Sequence, residues 1–311
     1  MSDKIKIVVI CGPTACGKSR LAVDVAIKFG GEVINADSMQ VYRGMDIANA
    51  MPSESEKKGV PHHLFGIVEP EESFSVVRWL ELARNKIEQL AECGRLPVIV
   101  GGTGLYISSL VDNIVFDGIG GNSDFREEMY RFAKLHGNSA LLERLRAVDP
   151  DAASRLHENN VKRVIRALET FEASREPAKQ RIERSRAKSS PYDACVIGIE
   201  FEDRQLLYDR IDNRVDAMLK AGLTEEARRH VGAGLPCGTA AQAIGHKELL
   251  PYFNGECDID VCIDNLKRKT RNYAKRQLTW FRKDMGANKI NYTTYGSILE
   301  NAIYLINQKI L

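Results

Sequence analysis

What this 311-residue chain lacks already narrows its class. No apolar run approaches the ~20 residues of a membrane-spanning helix, so no membrane attachment is expected. Its seven cysteines, at 11, 16, 93, 195, 237, 257 and 262, form no C-x-x-C pair and, being odd in number, cannot all pair. With no secretory signal in evidence, reduced thiols and a cytoplasmic setting are expected. A large net charge is missing too. Forty-four Lys and Arg against 42 Asp and Glu leave +2, so only the distribution of charge can speak about nucleic acid. No internal repeat or low-complexity tract stands out. What remains, 44% hydrophobic and 28% charged, suits a globular protein with one large core or two modest ones.

Gly12-Pro13-Thr14-Ala15-Cys16-Gly17-Lys18-Ser19 is a complete G-x-x-x-x-G-K-[ST] loop. It follows the β-branched run 5–10 and precedes an amphipathic stretch, 20–29, the strand–loop–helix context that such a loop requires. Its backbone N–H groups and the helix N-terminus behind them form a cage for phosphates. Lys18 adds a point charge, and the Ser19 hydroxyl is placed to hold a Mg²⁺ ion. Cys16 reads as a small side chain in a tight loop. The chain is expected to bind a polyphosphate.

Gly30 and Gly31 end the first helix, and 32–36 reads as a second strand. Over 73–91, Val76, Leu80, Ala83, Ile87 and Leu90 follow the helical period, with Gly94 just beyond. A third strand, 96–100, runs into Gly101-Gly102-Thr103-Gly104. This alternation implies a parallel, doubly wound sheet. From 124 to 186 the texture changes to helical segments at 125–135, 140–147, 152–156 and 160–173, with a polar, basic tail over 179–188. Strand character returns at 194–201, followed by a long helix over 204–221. The expected fold is α/β: a P-loop parallel-sheet core, 1–115 and 192–311, with an α-helical insertion domain at 116–191.

Ligands of an open parallel sheet bind outside the carboxyl ends of its strands. That lines up the phosphate loop, Asp37-Ser38 after the second strand and 101–104 after the third. Asp37 fits three roles: general base, hydrogen-bond partner to a ligand of Mg²⁺, or N-cap of the next turn. An energy-coupling NTPase would carry a Mg²⁺-holding Asp at the end of an apolar strand. Here that strand, 97–100, ends in Gly-Gly, which leaves metabolic kinases and enzymes that use the cage for something other than ATP. Arg210 and Arg214 lie four apart beside the stripe Leu207, Ile211, Val215 and Met218. Taken alone, they read as a solvated face with Asp209, Asp212 and Asp216 as partners.

Residues 265–283 contain eight Lys or Arg and no Asp or Glu, with Tyr273, Trp280 and Phe281 interleaved. On a helix, Lys267, Arg271, Lys275 and Arg282 share a ridge, expected to face outward, while Leu266, Tyr273 and Trp280 pack inward. A merely solvated helix mixes charge signs, so the run reads as a contact for a nucleic-acid backbone. Lys162, Arg163 and Arg166 form a second basic cluster on the insertion. Two basic patches and a polyphosphate cage suggest a protein that brings a small phosphorylated donor to a nucleic acid. The alternatives are a P-loop small-molecule kinase and an RNA-binding protein with a nucleotide-sensing loop.

Seven segments together resemble the bacterial tRNA dimethylallyltransferases: GPTACGKS (12–19), DSMQVYRGMDI (37–47), PHHL (61–64), GGTGLY (101–106), DP..A.R.H...VKRVIRALE (149–169), QAIGHKEL (242–249) and TRNYAKRQLTWFR (270–282). The resemblance implies transfer of a dimethylallyl group from dimethylallyl diphosphate to the exocyclic amine of the adenosine just 3′ of the anticodon. It implies diphosphate in the cage, neutralised by Thr14, Lys18 and Ser19 with Mg²⁺ as cofactor, and contacted by Arg214. Asp37 matches the general base, and Thr103 a contact to the target nucleotide. Contacts with the tRNA anticodon stem-loop are implied at Asp37, Ser38, Met39 and Gln40 and at Lys162, Arg163, Val164, Ile165 and Arg166. They are also implied at Gln242, Ala243, Ile244, Gly245, His246 and Lys247, and at Lys269, Thr270, Arg271, Asn272, Tyr273, Ala274, Lys275 and Arg276. A monomer is expected. Two departures stand out. Where the family usually reads Gly-Thr-Ala-Lys-Pro the chain has Ala48-Asn49-Ala50-Met51-Pro52, and the usual Tyr of I-G-Y-K-E is His246. A divergent relative acting on another adenine acceptor would fit these departures.

Overall fold

A computed structural model describes residues 4–116, 120–185, 189–232, 234, 239–282 and 286–310. Cys237, Lys283 and the end of the basic tail at 186–188 lie outside them. The chain divides into two compact units, Met1–Val111 with Ser190–Leu311, and Asp112–Ser189.

In the first unit the β-branched run Ile5–Cys11 (β1) pairs in parallel with Leu96–Gly101 (β4) on one side and Tyr192–Glu200 (β5) on the other. Gly31–Asn35 (β2) lies beyond β4 with His62–His63 (β3) outside it, and Asn288–Asn291 (β6) extends the sheet beyond β5. Alternate side chains enter two cores. Val8 and Ile10 of β1, Val98 and Val100 of β4 and Ile197 of β5 join one, while Ile7, Val9, Ile99 and Val196 join the other. Lys18–Phe29 (α1), Arg204–Lys220 (α10) and Tyr295–Lys309 (α14) contribute to the first core. Val76–Glu92 (α3) and Gly104–Val111 (α4) contribute to the second. This is the doubly wound parallel sheet that the alternation implies.

Local chemistry sets the boundaries. The Ser75 hydroxyl accepts from the Arg78 N–H and starts α3, three residues later than the periodicity suggests. α1 ends on Gly30, whose φ of 65° is the left-handed cap that glycine supplies. β2 stops at Asn35, one residue early, because the Asn35 side chain accepts from the Asp37 N–H at 2.8 Å and donates to the Asp37 carbonyl at 3.0 Å. The chain is turned out of the sheet there. Glu54–Lys57 (α2), Leu223–Gly232 (α11), His246–Phe253 (α12) and Ile259–Phe281 (α13) also belong to this unit.

The second unit is helical: Ser123–His136 (α5), Asn138–Val148 (α6), Pro150–Ser154 (α7), Val161–Ser174 (α8) and Ala178–Ser185 (α9). It packs its own core from Met129, Leu141, Leu145, Val164, Ile165 and Leu168. The basic tail therefore contains a helix, α9, that its composition does not advertise. Among the described residues no helix is long and apolar enough to cross a membrane.

The β2–β4 contact admits no side chain at the end of β4. A Cβ on Gly101 would lie 2.0 Å from the Ala36 carbonyl oxygen. Gly101→Ala is expected to destabilise the protein by roughly 1–3 kcal/mol or more, seen as a lower urea midpoint at unchanged slope. A wild-type midpoint would contradict this approach.

Candidate active site

Three strand ends lie level: Ile10 of β1 and Asn35 of β2 both stand opposite Val100 of β4. The loops that leave them therefore begin side by side. The first is the phosphate loop. Ala15 at φ 62° and Gly17 at φ 88° curl it into a nest of N–H groups, and α1 starts without a side-chain cap, leaving its first amides available to an anion. Ala15 is an L-residue in the left-handed region and needs support. Arg210 of α10 supplies it, donating from Nε to the Ala15 carbonyl at 2.9 Å and from Nη1 to the Tyr292 hydroxyl at 2.8 Å. Lys18 Nζ rests on the Pro13 carbonyl at 3.3 Å, and Ser19 is exposed at the first turn of α1.

The second loop carries Asp37. Its Oδ1 accepts from the Met39 N–H at 3.0 Å, which is the turn-capping role, while Oδ2 lies 3.3 Å from where a Cβ on Gly102 would sit. One carboxylate oxygen is committed to the turn, and the other points toward the third loop. Capping and acid–base chemistry are therefore compatible in one side chain. Thr103 Oγ1 accepts from the Ser38 N–H at 2.9 Å and donates to Ser38 Oγ at 3.2 Å, joining the second and third loops.

α13 closes over them. The buried Gln277 accepts from the Thr14 N–H at 2.8 Å and donates to the Gly102 carbonyl at 3.0 Å. The Trp280 ring occupies the space of a Cβ on Gly104. Tyr273 belongs to the same cluster. Burial pushes its phenol well above the ordinary value, and the Asp37 carboxylate adds to the rise. Burial pulls the Arg214 guanidinium below its usual value, while Cys16, Asp37 and Glu56 favour its charge. Arg214 thus stands among the phosphate loop and Asp37. The sequence offers one signal for Gln277, a polar residue on the apolar face between Ala274 and Phe281. It offers none for its partners.

Two expectations about the charged helices need correction. Arg210 and Arg214 do not form a solvated face with Asp partners. Arg210 is bound to Ala15, and the acids of α10 have other partners: Asp212 takes Arg271 at 2.6 Å, Asp216 takes Lys267 at 2.6 Å and Asp209 takes Gln205 at 2.7 Å. For the same reason the ridge expected to face outward is split: Lys267 and Arg271 are half-buried against α10, whereas Lys275 and Arg282 are exposed. Lys275 Nζ lies 5.6 Å from the centre of the Tyr208 ring. Two acids four apart on α10 meet two bases four apart on α13, a match that the composition of α13 alone cannot reveal. Lys269, Asn272 and Arg276 are exposed on other faces of the helix, whereas Ala274 is core.

The remaining segments likewise divide by burial. In the helical unit Lys162, Arg163 and Arg166 are exposed, but Val164 and Ile165 are core side chains and cannot present themselves to a ligand. Arg166 and Arg126 both pair with the buried Glu169. In the first unit Gln242 and Lys247 are exposed, Ile244 is half-buried, and Ala243, Gly245 and His246 are buried. His246 Nε2 meets Glu226 Oε1 at 2.8 Å, and the same carboxylate accepts from the Ile47 and Ala48 N–H groups at 2.8 and 2.9 Å. The two sequence departures, 48–51 and His246, therefore converge on one buried carboxylate. Asn49 and Gln40 carry the network onward. Asn49 donates to the Met39 carbonyl at 2.8 Å, and Gln40 donates to the Asn49 carbonyl at 3.0 Å. Among the described residues no group of three His, Cys, Asp or Glu side chains is placed to hold a metal ion.

Fold and site define an α/β P-loop enzyme with a carboxylate beside its phosphate cage. An IPP transferase family model matches residues 40–284, and an isopentenyl transferase model matches 5–64. The chain is 47% identical over 280 residues to a tRNA dimethylallyltransferase of Caldanaerobacter subterraneus subsp. tengcongensis, covering 89% of each chain. It is 48% identical over 280 residues to one of Geobacillus thermodenitrificans, covering 90% of this chain and 88% of that one. Among solved structures, the full-length tRNA isopentenylpyrophosphate transferase of Bacillus halodurans superposes with a TM-score of 0.72 at 41% identity, over 98% and 97% of the two chains. A eukaryotic dimethylallyltransferase acting on tRNA gives 0.78 at 28% identity, over 94% of this chain and 75% of that one. The chain belongs to the IPP transferase family and is a prenyltransferase.

The Glu226 node makes a stability prediction. Burial raises the Glu226 carboxyl, but hydrogen bonds from His246 and from the Ile47 and Ala48 amides outweigh it and hold the group below its ordinary 4.5. A depressed folded value means that the stabilisation is complete above 4.5 and is lost as pH falls through the folded value. Glu226→Ala is expected to cost about 1–3 kcal/mol for each amide left without an acceptor. The gap in unfolding free energy from wild type should stay constant at neutral pH and shrink below pH 4.5. A gap that does not depend on pH would contradict the assignment.

Proposed function

We propose that the chain transfers a dimethylallyl group from dimethylallyl diphosphate to the exocyclic amine of the adenosine just 3′ of the tRNA anticodon, releasing diphosphate. The observation that carries this reading is the level placement of three strand-end loops, which sets Asp37 beside the phosphate cage. The relatives give no support to the small-molecule kinase alternative. Physically, the end of β4 has no room for the Mg²⁺-holding Asp of an energy-coupling NTPase.

In this reading the uncapped amides at the start of α1, of Gly17, Lys18 and Ser19, bind the diphosphate together with the Lys18 and Arg214 side chains. The allylic carbon then faces the third loop. An adenine amine is a weak nucleophile because its lone pair is delocalised into the ring. Asp37 Oδ2 accepts a hydrogen bond from that amine and takes its proton as the new C–N bond forms and the allylic C–O bond breaks. Thr103 and Ser38 orient the base, which must leave the stacked anticodon loop to enter the site. The exposed bases of α13 and of the helical unit, with Gln242 and Lys247, hold the stem-loop phosphates. One protein hydroxyl, Ser19, together with diphosphate oxygens and water is a donor set that suits Mg²⁺. Bound there, Mg²⁺ would neutralise charge on the departing diphosphate.

Three outcomes are expected. Asp37→Asn should lower the single-turnover rate by ~10²–10⁴-fold with little change in donor affinity. An unchanged rate at saturating substrates removes Asp37 from the mechanism. Lys18→Ala should abolish turnover, because each pre-organised charge contributes several kcal/mol to the transition state, while tRNA binding stays near wild type. Retained turnover would place the donor elsewhere. Replacing both Lys269 and Arg276 with Ala should weaken tRNA binding and flatten the slope of log affinity against log salt by roughly 0.7–0.9 per lost contact. An unaltered slope would mean that these side chains do not meet phosphate.

A further inference from the structure

Gln277 has no part in the reading above, yet it is the side chain that touches two of the three loops. It sits on the apolar face of α13, 4% exposed. A buried primary amide is costly unless its donors and acceptor are satisfied. Here both ends are met by backbone. Thr14 N–H can only donate, so the amide oxygen must face the phosphate loop at 2.8 Å. The Gly102 carbonyl can only accept, so the NH₂ group must face the third loop at 3.0 Å. A rotated amide would satisfy neither partner. The fit is close as well as directional: a Cβ on Gly102 would lie 2.1 Å from Gln277 Nε2 and 3.3 Å from Asp37 Oδ2. Gly102 thus lies between the amide and the carboxylate.

We propose that Gln277 is a positioning residue that sets the separation between the donor bound in the phosphate loop and the acceptor amine served by Asp37. The inference rests on the proposed reaction. Displacement at the allylic carbon needs the reacting atoms about 3–3.5 Å apart and aligned, and a misplacement of ~1 Å costs on the order of 10²-fold. One side chain bonded at one end to the donor's loop and at the other to the loop packed against Asp37 controls that distance. It touches no reacting atom itself.

The test uses the full-length chain with an unmodified anticodon stem-loop and dimethylallyl diphosphate. Gln277→Met keeps the length and apolar fit of the side chain but neither hydrogen bond. Gln277→Asn keeps both groups on a side chain one methylene shorter, which cannot reach both loops. Turnover is normalised to sites titrated with stem-loop, so that a variant that is merely less well folded shows fewer sites with normal turnover at each. The expected result is a kcat per site lowered about 10–100-fold in both variants, with KM for both substrates within about threefold of wild type. Wild-type kcat per site in either variant overturns the proposal, as does a loss carried by KM alone. If Gln277→Met fails to fold, Gln277→Asn decides by the same criterion. A wild-type enzyme that makes no prenylated adenosine would sink the parent reading instead, whereas an active wild type with normal variants sinks only the role of Gln277.

Discussion

The buried amide of Gln277 is the interaction on which the site depends. It reaches across 263 residues to Thr14 and 175 residues to Gly102, and so holds the phosphate loop and the glycine-rich loop to one helix. Strand pairing brings the starts of these loops together, but pairing ends at Cys11 and Gly101. Beyond the sheet the backbone groups need other partners, and α13 provides them. Its Trp280 fills the hollow at Gly104 on the same side. α13 is thus the roof of the site, and the glycines below it are small because that roof sits close.

The electrostatics follow from how α10 and α13 share their charges. α10 turns its acids toward α13, where Asp212 and Asp216 neutralise Arg271 and Lys267. It turns Arg210 toward the Ala15 carbonyl, and Arg214 lies near Cys16 and Asp37. Each half-buried pair fixes the orientation of two helices more than it adds stability. The consequence for RNA is a smaller basic surface than composition suggests, since part of the positive run is used inside the protein.

Much of this was legible in the sequence, because much of it is local. The phosphate loop announces itself through spacing, and the parallel sheet through alternation of β-branched runs with helical periodicity. Asp37 and the 101–104 loop follow from the rule that ligands bind at strand carboxyl ends. What escaped depends on partners distant in the chain. Gln277 is one amide in a basic run until Thr14 and Gly102 stand beside it. Arg210 looks like half of a surface pair until the strained Ala15 carbonyl is seen beneath it. That half of the α13 ridge is engaged could not be read from α13, because the acids that take Lys267 and Arg271 lie on α10. His246 and the Ala48 turn look like two separate departures until Glu226 joins them.

A loop built to hold polyphosphate here holds an allylic diphosphate for attack by an adenine amine. The most direct measurement is to incubate the full chain with unmodified tRNA, Mg²⁺ and dimethylallyl diphosphate, and to analyse the digested nucleosides by mass spectrometry alongside released diphosphate. The expected product is one prenylated adenosine, at the position 3′ of the anticodon, formed in step with diphosphate and without ATP. Hydrolysis of ATP with no prenylated nucleoside, or prenylation of free adenine nucleotides in preference to tRNA, would contradict it.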